Sequence, residues 1–417
     1  MDRLRLLSLI ERPGAALLDG WSDDGRWTIA LPEPIDAFRA EIGETAKLER
    51  FLADAARPVR KGSGPEPFAG GWVGFLSYEL GAAWEGAPPR LDPVPEPAAL
   101  FYRHDSGWTV DPAGNVRPFG RAGALPAARR IPRVESGGTG SIGESLPRER
   151  YAAAHEAIRE GIARGDFYQV NLANRFAARL PSRPDARSLY RRIAGDEPPP
   201  YSMLLRAGDF DVISASPELF LRADFGSGAV EMRPIKGTAP RGAAPAEDAA
   251  AAAALVSSAK DRAENVMIVD LCRNDLGRVC ENGSVDVLDL CRIRSHRVHH
   301  LESVDSGRLR RGTIAAELLR ATFPPGSVTG APRRAAVAAI RVLEPCARGV
   351  YTGAAGFFDD RGRLAFNVAI RTAVAAGSEV RYGAGGGITW ESAAAREREE
   401  VGWKAAEFLA LFEGAPR

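Results

Sequence analysis

The sequence predicts an α+β protein organised around large antiparallel sheets. Three observations lead there. Strand-like and helical stretches mix along the chain without the steady alternation that builds a parallel sheet. The first third consists of short strand-like runs, such as RWTIALP and GGWVGFLSYEL, separated by Pro and Gly clusters. Late in the chain, GVYTGAAGFFDDRGRLAFNVAIRTAV reads as a hairpin with Asp-Arg-Gly near its turn.

Taken in order, residues 1–134 form an N-terminal subregion expected to pack into the same fold as the rest. Residues 135–146 include ESGGTGSIGES, small and polar enough to read as a loop or linker. The main region, 147–417, opens with a helical pattern from Arg148 to Arg164, followed by the strand-like YQVNLANRFAARL. SMLLRAG, DVISASP and AVEMRPIKG are further strands, and 247–276 reads as one long Ala-rich helix. HRVHHLESVDSGRL is a strand, and Thr313 is a plausible N-cap for a short helix to Ala321. FPPGSVTGAP then breaks the chain, with Pro332 suited to the first turn of the next helix. A final helix starts near Ser392.

Composition narrows the class of function. The 417 residues carry 55 basic and 54 acidic side chains, which leaves no electrostatic footprint for nucleic acid or an acidic membrane. No stretch approaches the roughly 20 apolar residues of a membrane helix, and the start MDRLRLLSLIERPG meets charges and a proline too early for a secretory signal. Cys272, Cys280, Cys291 and Cys346 are too few for a disulfide scaffold and lack C-x-x-C spacing for zinc. A soluble cytoplasmic protein with reduced thiols is expected. There is no internal repeat, P-loop or G-x-S-x-G elbow.

Several constellations are candidates for chemistry. On the last helix Glu397, Glu400 and Lys404 share one face beside an apolar stripe of Val401, Ala405, Phe408, Leu409 and Phe412. By spacing alone this is an ordinary solvated face with ion pairs. Glu264 shares a helical face with Ile268 and Leu271, where an unpaired carboxylate is costly. A cation would relieve that cost; so would an ion pair with Lys260, one turn earlier. Carboxylates from two helices suit magnesium. GAGGGI exposes backbone N–H groups able to cradle a carboxylate, or is simply a glycine-rich strand end. In PIKGT, Lys236 is a surface lysine or a desolvated nucleophile, and Glu218 in SASPELF is a possible acid–base companion. Strand alternation places His299 and His300 on opposite faces, so the pair cannot hold one metal.

The order of motifs is far more specific than any one of them. GDFYQVNLANRF, SASPELF, RPIKGTAPRG, KDRAENVMIVDLCRNDLGRV, VHHLESVDSGRL, FPPGSVTGAPRRAAV, YTGAAGFF, FNVAIRT and GGGITWESAAAREREEVGWKA resemble the chorismate-utilising enzymes throughout. The match runs from about Arg148 to the C-terminus and is weaker earlier, in PFAGGWVGFLSYEL and ALLDGW. The resemblance implies one large unit, a two-sheet antiparallel sandwich flanked by helices, with 147–417 as its chorismate-binding catalytic region. It implies Mg2+ held by Glu264 and Glu400, with Glu397 reaching the ion directly or through water. Gly237, Thr238, Gly385 and Gly387 would surround the ring carboxylate, and Tyr351 and Arg371 the enolpyruvyl carboxylate. Ser327 stands where relatives often have threonine, and His300 matches the family's active-site histidine.

Two positions separate members of the family. The isochorismate- and salicylate-forming enzymes resemble this chain with lysine in place of Gln169, so Gln169 implies ammonia as nucleophile. The anthranilate-forming enzymes resemble it with alanine at position 236. Lys236 therefore implies covalent attack at carbon 2 of the ring, with Glu218 protonating the hydroxyl that leaves carbon 4. The implied product is 4-amino-4-deoxychorismate, for 4-aminobenzoate and folate synthesis, with ammonia from a separate glutamine amidotransferase subunit. Anthranilate formation, or a non-catalytic chorismate-binding subunit, are the alternatives. The chain departs from the family pattern at Arg333 (lysine in many relatives), at Gly20 of LLDG and at Glu302. Glu302 lies two residues beyond His300 and is expected to raise that histidine's pKa.

Overall fold

The structure, a computed structural model, describes residues 2–22, 26–60, 64, 66–88, 94–132 and 142–412. Its frame is two antiparallel sheets, of eleven and ten strands among the described residues, packed face to face with helices outside. In the first, Gly330–Ala331, Gln169–Arg179, Glu379–Ile388 and Thr372–Ala376 form one end. Phe210–Ala215 and Ser202–Arg206 follow, and Ala16–Asp19, Thr28–Leu31, Gly107–Val110 and Val116–Phe119 form the other end. In the second sheet Ile235–Pro240 and Val298–Arg308 lead, through Ala229–Arg233, Leu219–Asp224 and Arg363–Val368, to Ala354–Asp359, Gly71–Leu76, Ala99–His104 and Asp36–Ala40. Residues before 132 thus build the far end of both sheets, and later residues the near end.

Three apolar layers hold the frame. Between the sheets, Trp21, Phe68, Phe75, Phe210 and Phe357 are buried together, with Trp21 edge-on to Tyr201 and its indole N–H on the Ser202 carbonyl at 2.8 Å. Outside the first sheet, Arg148–Arg164, Ala186–Ala194, Arg333–Leu343 and Ala394–Phe412 contribute their apolar stripes, including the stack of Tyr382 on Phe408. Outside the second, Ala259–Gly277 and Ala315–Thr322 do the same. Among the described residues no helix is long and apolar enough to cross a membrane.

Several expectations need correction. The Ala-rich stretch is two helices, Pro245–Ser257 and Ala259–Gly277, because the Ser258 hydroxyl accepts the Asp261 N–H at 3.3 Å and caps a new start. AVEMRPIKG splits at Pro234, which has no N–H for a ladder. GGWVGFLSYEL turns from strand to helix after Leu76, with Tyr78–Trp84 helical. The cap before Ala315–Thr322 is Ile314, whose N–H is taken by Glu317, and Thr313 lies one residue outside. Pro332 is the cap of Arg333–Leu343 instead of its first residue. The stretch read as a linker lies outside the described residues as far as 141, and Gly143–Glu144 is a short strand paired with Ala177 and Phe176. The late hairpin is Ala354–Asp359 with Arg363–Val368, and Thr372–Ala376 belongs to the opposite sheet.

Candidate active site

Two short links carry the chain from one sheet to the other at the near end. Residues 216–218 join Phe210–Ala215 of the first sheet to Leu219–Asp224 of the second; 369–371 make the return from Arg363–Val368 to Thr372–Ala376. The links are bonded to one another: Val368 N–H to the Glu218 carbonyl at 3.0 Å, Ala215 N–H to the Arg371 carbonyl at 3.0 Å, and the Ser216 hydroxyl to the Val368 carbonyl at 2.6 Å. Glu218 and Arg371 are therefore placed side by side by the way the sandwich is stitched. Arg371 adopts φ +48, a left-handed conformation that costs a non-glycine residue about 1 kcal/mol or more. Its guanidinium pairs with no carboxylate among the described residues.

Glu218 is buried and receives the Ser327 hydroxyl at 2.6 Å and the Ile235 N–H at 3.4 Å. Burial pushes its pKa up to about 7, against those hydrogen bonds and the nearby Lys236. A carboxyl tuned in this way can deliver a proton near neutral pH.

Lys236, Gly237 and Thr238 lie on Ile235–Pro240, paired with the strand of His300. The register slips between Lys236 and Thr238, at Gly237, whose φ of +77 is easy only for glycine. The slip turns Lys236 toward the glycine strand Glu379–Ile388. A Cβ built on Gly387 would fall 3.2 Å from Lys236 Nζ and 2.3 Å from Gln169 Nε2. The lysine and the Gln169 amide thus converge on one bare stretch of backbone. Gln169 is fully buried, and neither end of its amide has a hydrogen-bond partner among the described residues. Such a group is costly unless something polar joins it. Lys236 is half-buried and makes no ion pair among the described residues, and desolvation lowers its pKa although Glu264 and Glu218 favour the charge. Gly383 does similar service for Tyr351: a Cβ there would lie 2.3 Å from its ring.

His300 Nδ1 meets Thr238 Oγ1 at 3.1 Å, while His299 turns to the other face, to Asp248 and Ser295. The effect expected of Glu302 is overturned. Burial, then the Arg371 charge, pushes His300 down to about 3, and Glu302 is engaged by Arg294 at 3.0 Å. His300 is a neutral hydrogen-bonding group.

The three carboxylates expected at a metal come from Ala259–Gly277 and Ala394–Phe412. Lys260 Nζ lies between two of them, 3.7 Å from Glu264 and 3.3 Å from Glu397, so the plain ion-pair alternative for Glu264 is present as well. Glu264 Oε1 is buried and, apart from the Lys260 ion pair, has no hydrogen-bond partner among the described residues, and burial raises the pKa of Glu264. Glu400 pairs with Lys404 at 2.7 Å, and Lys404 donates to the Gly385 carbonyl at 2.9 Å. Burial acts to raise Glu400, but Lys404, Lys260 and Lys236 hold it below the usual range. Among the described residues no three acidic, His or Cys side chains already converge as a metal cluster. The carboxylate oxygens suit a hard divalent cation, which would take the place that the Lys260 ammonium holds between Glu264 and Glu397.

Sequence reasoning missed the buried polar layer behind the site. Glu79 accepts the N–H groups of Arg348 and Gly349 at 2.7 and 2.9 Å, and Arg348 pairs with Glu344. The one available signal was position: Arg348 precedes Tyr351 by three residues.

Residues 20–410 match the family model described as chorismate binding enzyme. The chain is 38% identical over 372 residues to an aminodeoxychorismate synthase of Streptomyces griseus, spanning 84% of this chain and 51% of that protein. It thus spans about half the length of that relative. It is also 38% identical over 390 residues to anthranilate synthase component 1 of Streptomyces coelicolor, 85% of this chain and 74% of the relative. The crystal structure of anthranilate synthase component I from Streptococcus pneumoniae superposes with a TM-score of 0.79 at 28% identity, covering 93% of each chain. The chain belongs to the chorismate-binding enzyme family.

Proposed function

We propose that this chain is an aminodeoxychorismate synthase component I, which aminates chorismate at carbon 4 in the cytoplasm on the route to 4-aminobenzoate and folate. The observation that carries this reading is Lys236, desolvated and convergent with Gln169 on Gly387. Mg2+ held by Glu264, Glu400 and Glu397 would offset the negative charge of the ring carboxylate. Gly237, Thr238, Gly385 and Gly387 line that carboxylate, and Tyr351 and the Arg371 fork take the enolpyruvyl carboxylate.

The neutral Lys236 amine bonds to carbon 2, the ring electrons shift, and the carbon 4 hydroxyl leaves as water with the Glu218 proton. Ammonia then bonds to carbon 4, the lysine–carbon 2 bond breaks, and the surplus proton returns to the Glu218 carboxylate. Dividing one poor displacement into two steps is what covalent catalysis supplies. A glutamine amidotransferase subunit is the proposed ammonia source, in keeping with the component 1 name of the Streptomyces coelicolor relative.

Equal identity to that anthranilate synthase favours a second reading, amination at carbon 2 with loss of pyruvate. Product identification separates the two. With chorismate, Mg2+ and ammonium, the carbon 4 reaction gives a non-aromatic product that becomes 4-aminobenzoate only with an added lyase. Fluorescent anthranilate formed without the lyase would refute it. Lys236→Ala is expected to abolish the carbon 4 product; an undiminished yield would remove the covalent role.

A further inference from the structure

We infer that Arg348 is a positioning residue that holds three separate parts of the active site in register from behind, without touching substrate. Its guanidinium is buried and makes five hydrogen bonds, one from Nε and two from each terminal nitrogen, the full capacity of the group. Two go to Glu344, at 2.9 and 2.6 Å. The others reach the Asn171 carbonyl at 2.8 Å, the Val328 carbonyl at 2.8 Å and Thr352 Oγ1 at 3.2 Å.

Those three acceptors belong to three segments distant in sequence, and each adjoins a site residue. Asn171 is two residues from Gln169 on the same strand. Val328 follows Ser327, which holds Glu218. Thr352 follows Tyr351, and its hydroxyl donates to the Tyr351 carbonyl. Glu344 adds a fourth tie by accepting the Ala173 N–H at 2.9 Å. The guanidinium itself is fixed, lying 4.4 Å from the centre of the Tyr78 ring. The backbone of Arg348 is clamped by Glu79.

The planar fork is essential to this geometry. A lysine carries three donors on one nitrogen and cannot reach acceptors spread around the edge of a planar fork. Catalysis is sensitive to such placement, since an error of about 1 Å can cost on the order of 100-fold in rate.

The inference rests on the proposed chorismate chemistry for its rate readout but not for its structural one. In Arg348→Lys, chorismate disappearance at saturating substrate, per folded molecule, should fall 10- to 100-fold. The magnesium midpoint should not move. Hydrogen exchange of the same protein should show segments 169–173, 326–330 and 349–353 losing protection together. Arg333→Lys, which alters another buried ion pair, should leave those segments as they were. Thr352→Val removes one acceptor, spares the ion pair and serves if Arg348→Lys does not fold; it should show a smaller loss, roughly 3- to 10-fold. Exchange changes spread evenly over the chain, or wild-type rates in the folded variants, would overturn the role. A wild-type protein inert toward chorismate would sink the proposed function, and the exchange experiment would still decide the role of Arg348.

Discussion

The two ends of the sandwich share one architecture and differ in what fills the gap between the sheets. At the far end the gap is closed by rings: Trp21 packs tilted and Phe68 edge-on against Phe357, and Phe75 packs edge-on against Phe210. At the near end the facing surfaces are Gly385 and Gly387 on one side and Lys236, Glu218 and His300 on the other. Bulk closes the first gap, and missing side chains together with costly polar groups keep the second receptive. The lesson is that a binding cleft in a two-sheet fold needs no special architecture. It requires only that one end be left unpacked and that the other end be packed well enough to carry the expense.

The contrast can be broken from either side. The largest effect on rate is expected at the near end. Glu218→Gln keeps the size of the side chain and its bond to Ser327 but has no proton to give. Turnover should fall by about 10²- to 10⁴-fold. The wild-type rate should also decline as pH rises through about 7, the value to which burial pushes Glu218, because only the protonated acid works. A pH profile flat across that value would remove its role as the acid.

The mirror experiment is Trp21→Ala at the far end, which should cost about 3–5 kcal/mol of stability. Denaturant melting measures it, and kcat below the melting range should stay near wild type. A selective loss of turnover would mean that the ends are not independent.

Gly387→Ala adds one methyl group to the open end, where it would crowd Gln169 and Lys236. Activity should fall about 10-fold or more, and the overpacking should cost about 1–3 kcal/mol of stability.

The smallest effect belongs to neither end and sharpens the comparison by showing what an unused buried carboxyl does. Asp305 is fully buried, and neither carboxylate oxygen has a hydrogen-bond partner among the described residues. Burial pushes its pKa up to about 7. Because the folded value lies above the unfolded one, its contribution to stability is intact below about pH 4 and is lost as pH rises through 7. Asp305→Val should therefore gain stability over wild type by about 1–3 kcal/mol more at alkaline pH than at pH 4. Urea titrations at the two pH values give the answer, and an equal gain at both would remove the titration argument.

Much of the local structure could be read from residue pattern. The helix Arg148–Arg164 has a clear period and ends at Gly165 in a left-handed conformation. Strand partners could not be read: Gln169–Arg179 is paired over ten positions with a strand some two hundred residues later. The division at Ser258 was hidden because the residues on both sides favour helix, and a single hydroxyl bond decides the cut. In the site, Lys236, Glu218 and the glycines could be proposed only through the order of motifs, since each alone has a commoner explanation. Glu344 and Glu79 left no pattern, and Arg348 only its place three residues before Tyr351. A buried ion pair is defined by partners that folding brings together, and its members look in sequence like any surface arginine or glutamate.

The stitching of the two sheets has a mechanical consequence. Glu218 and Arg371 ride on adjacent links, so the sheets cannot slide or part at the reactive end without breaking the bonds between those links. The jaws of this caliper are locked. The backbone positions of Glu218 and Arg371 are thereby set by the same bonds that hold the two sheets together.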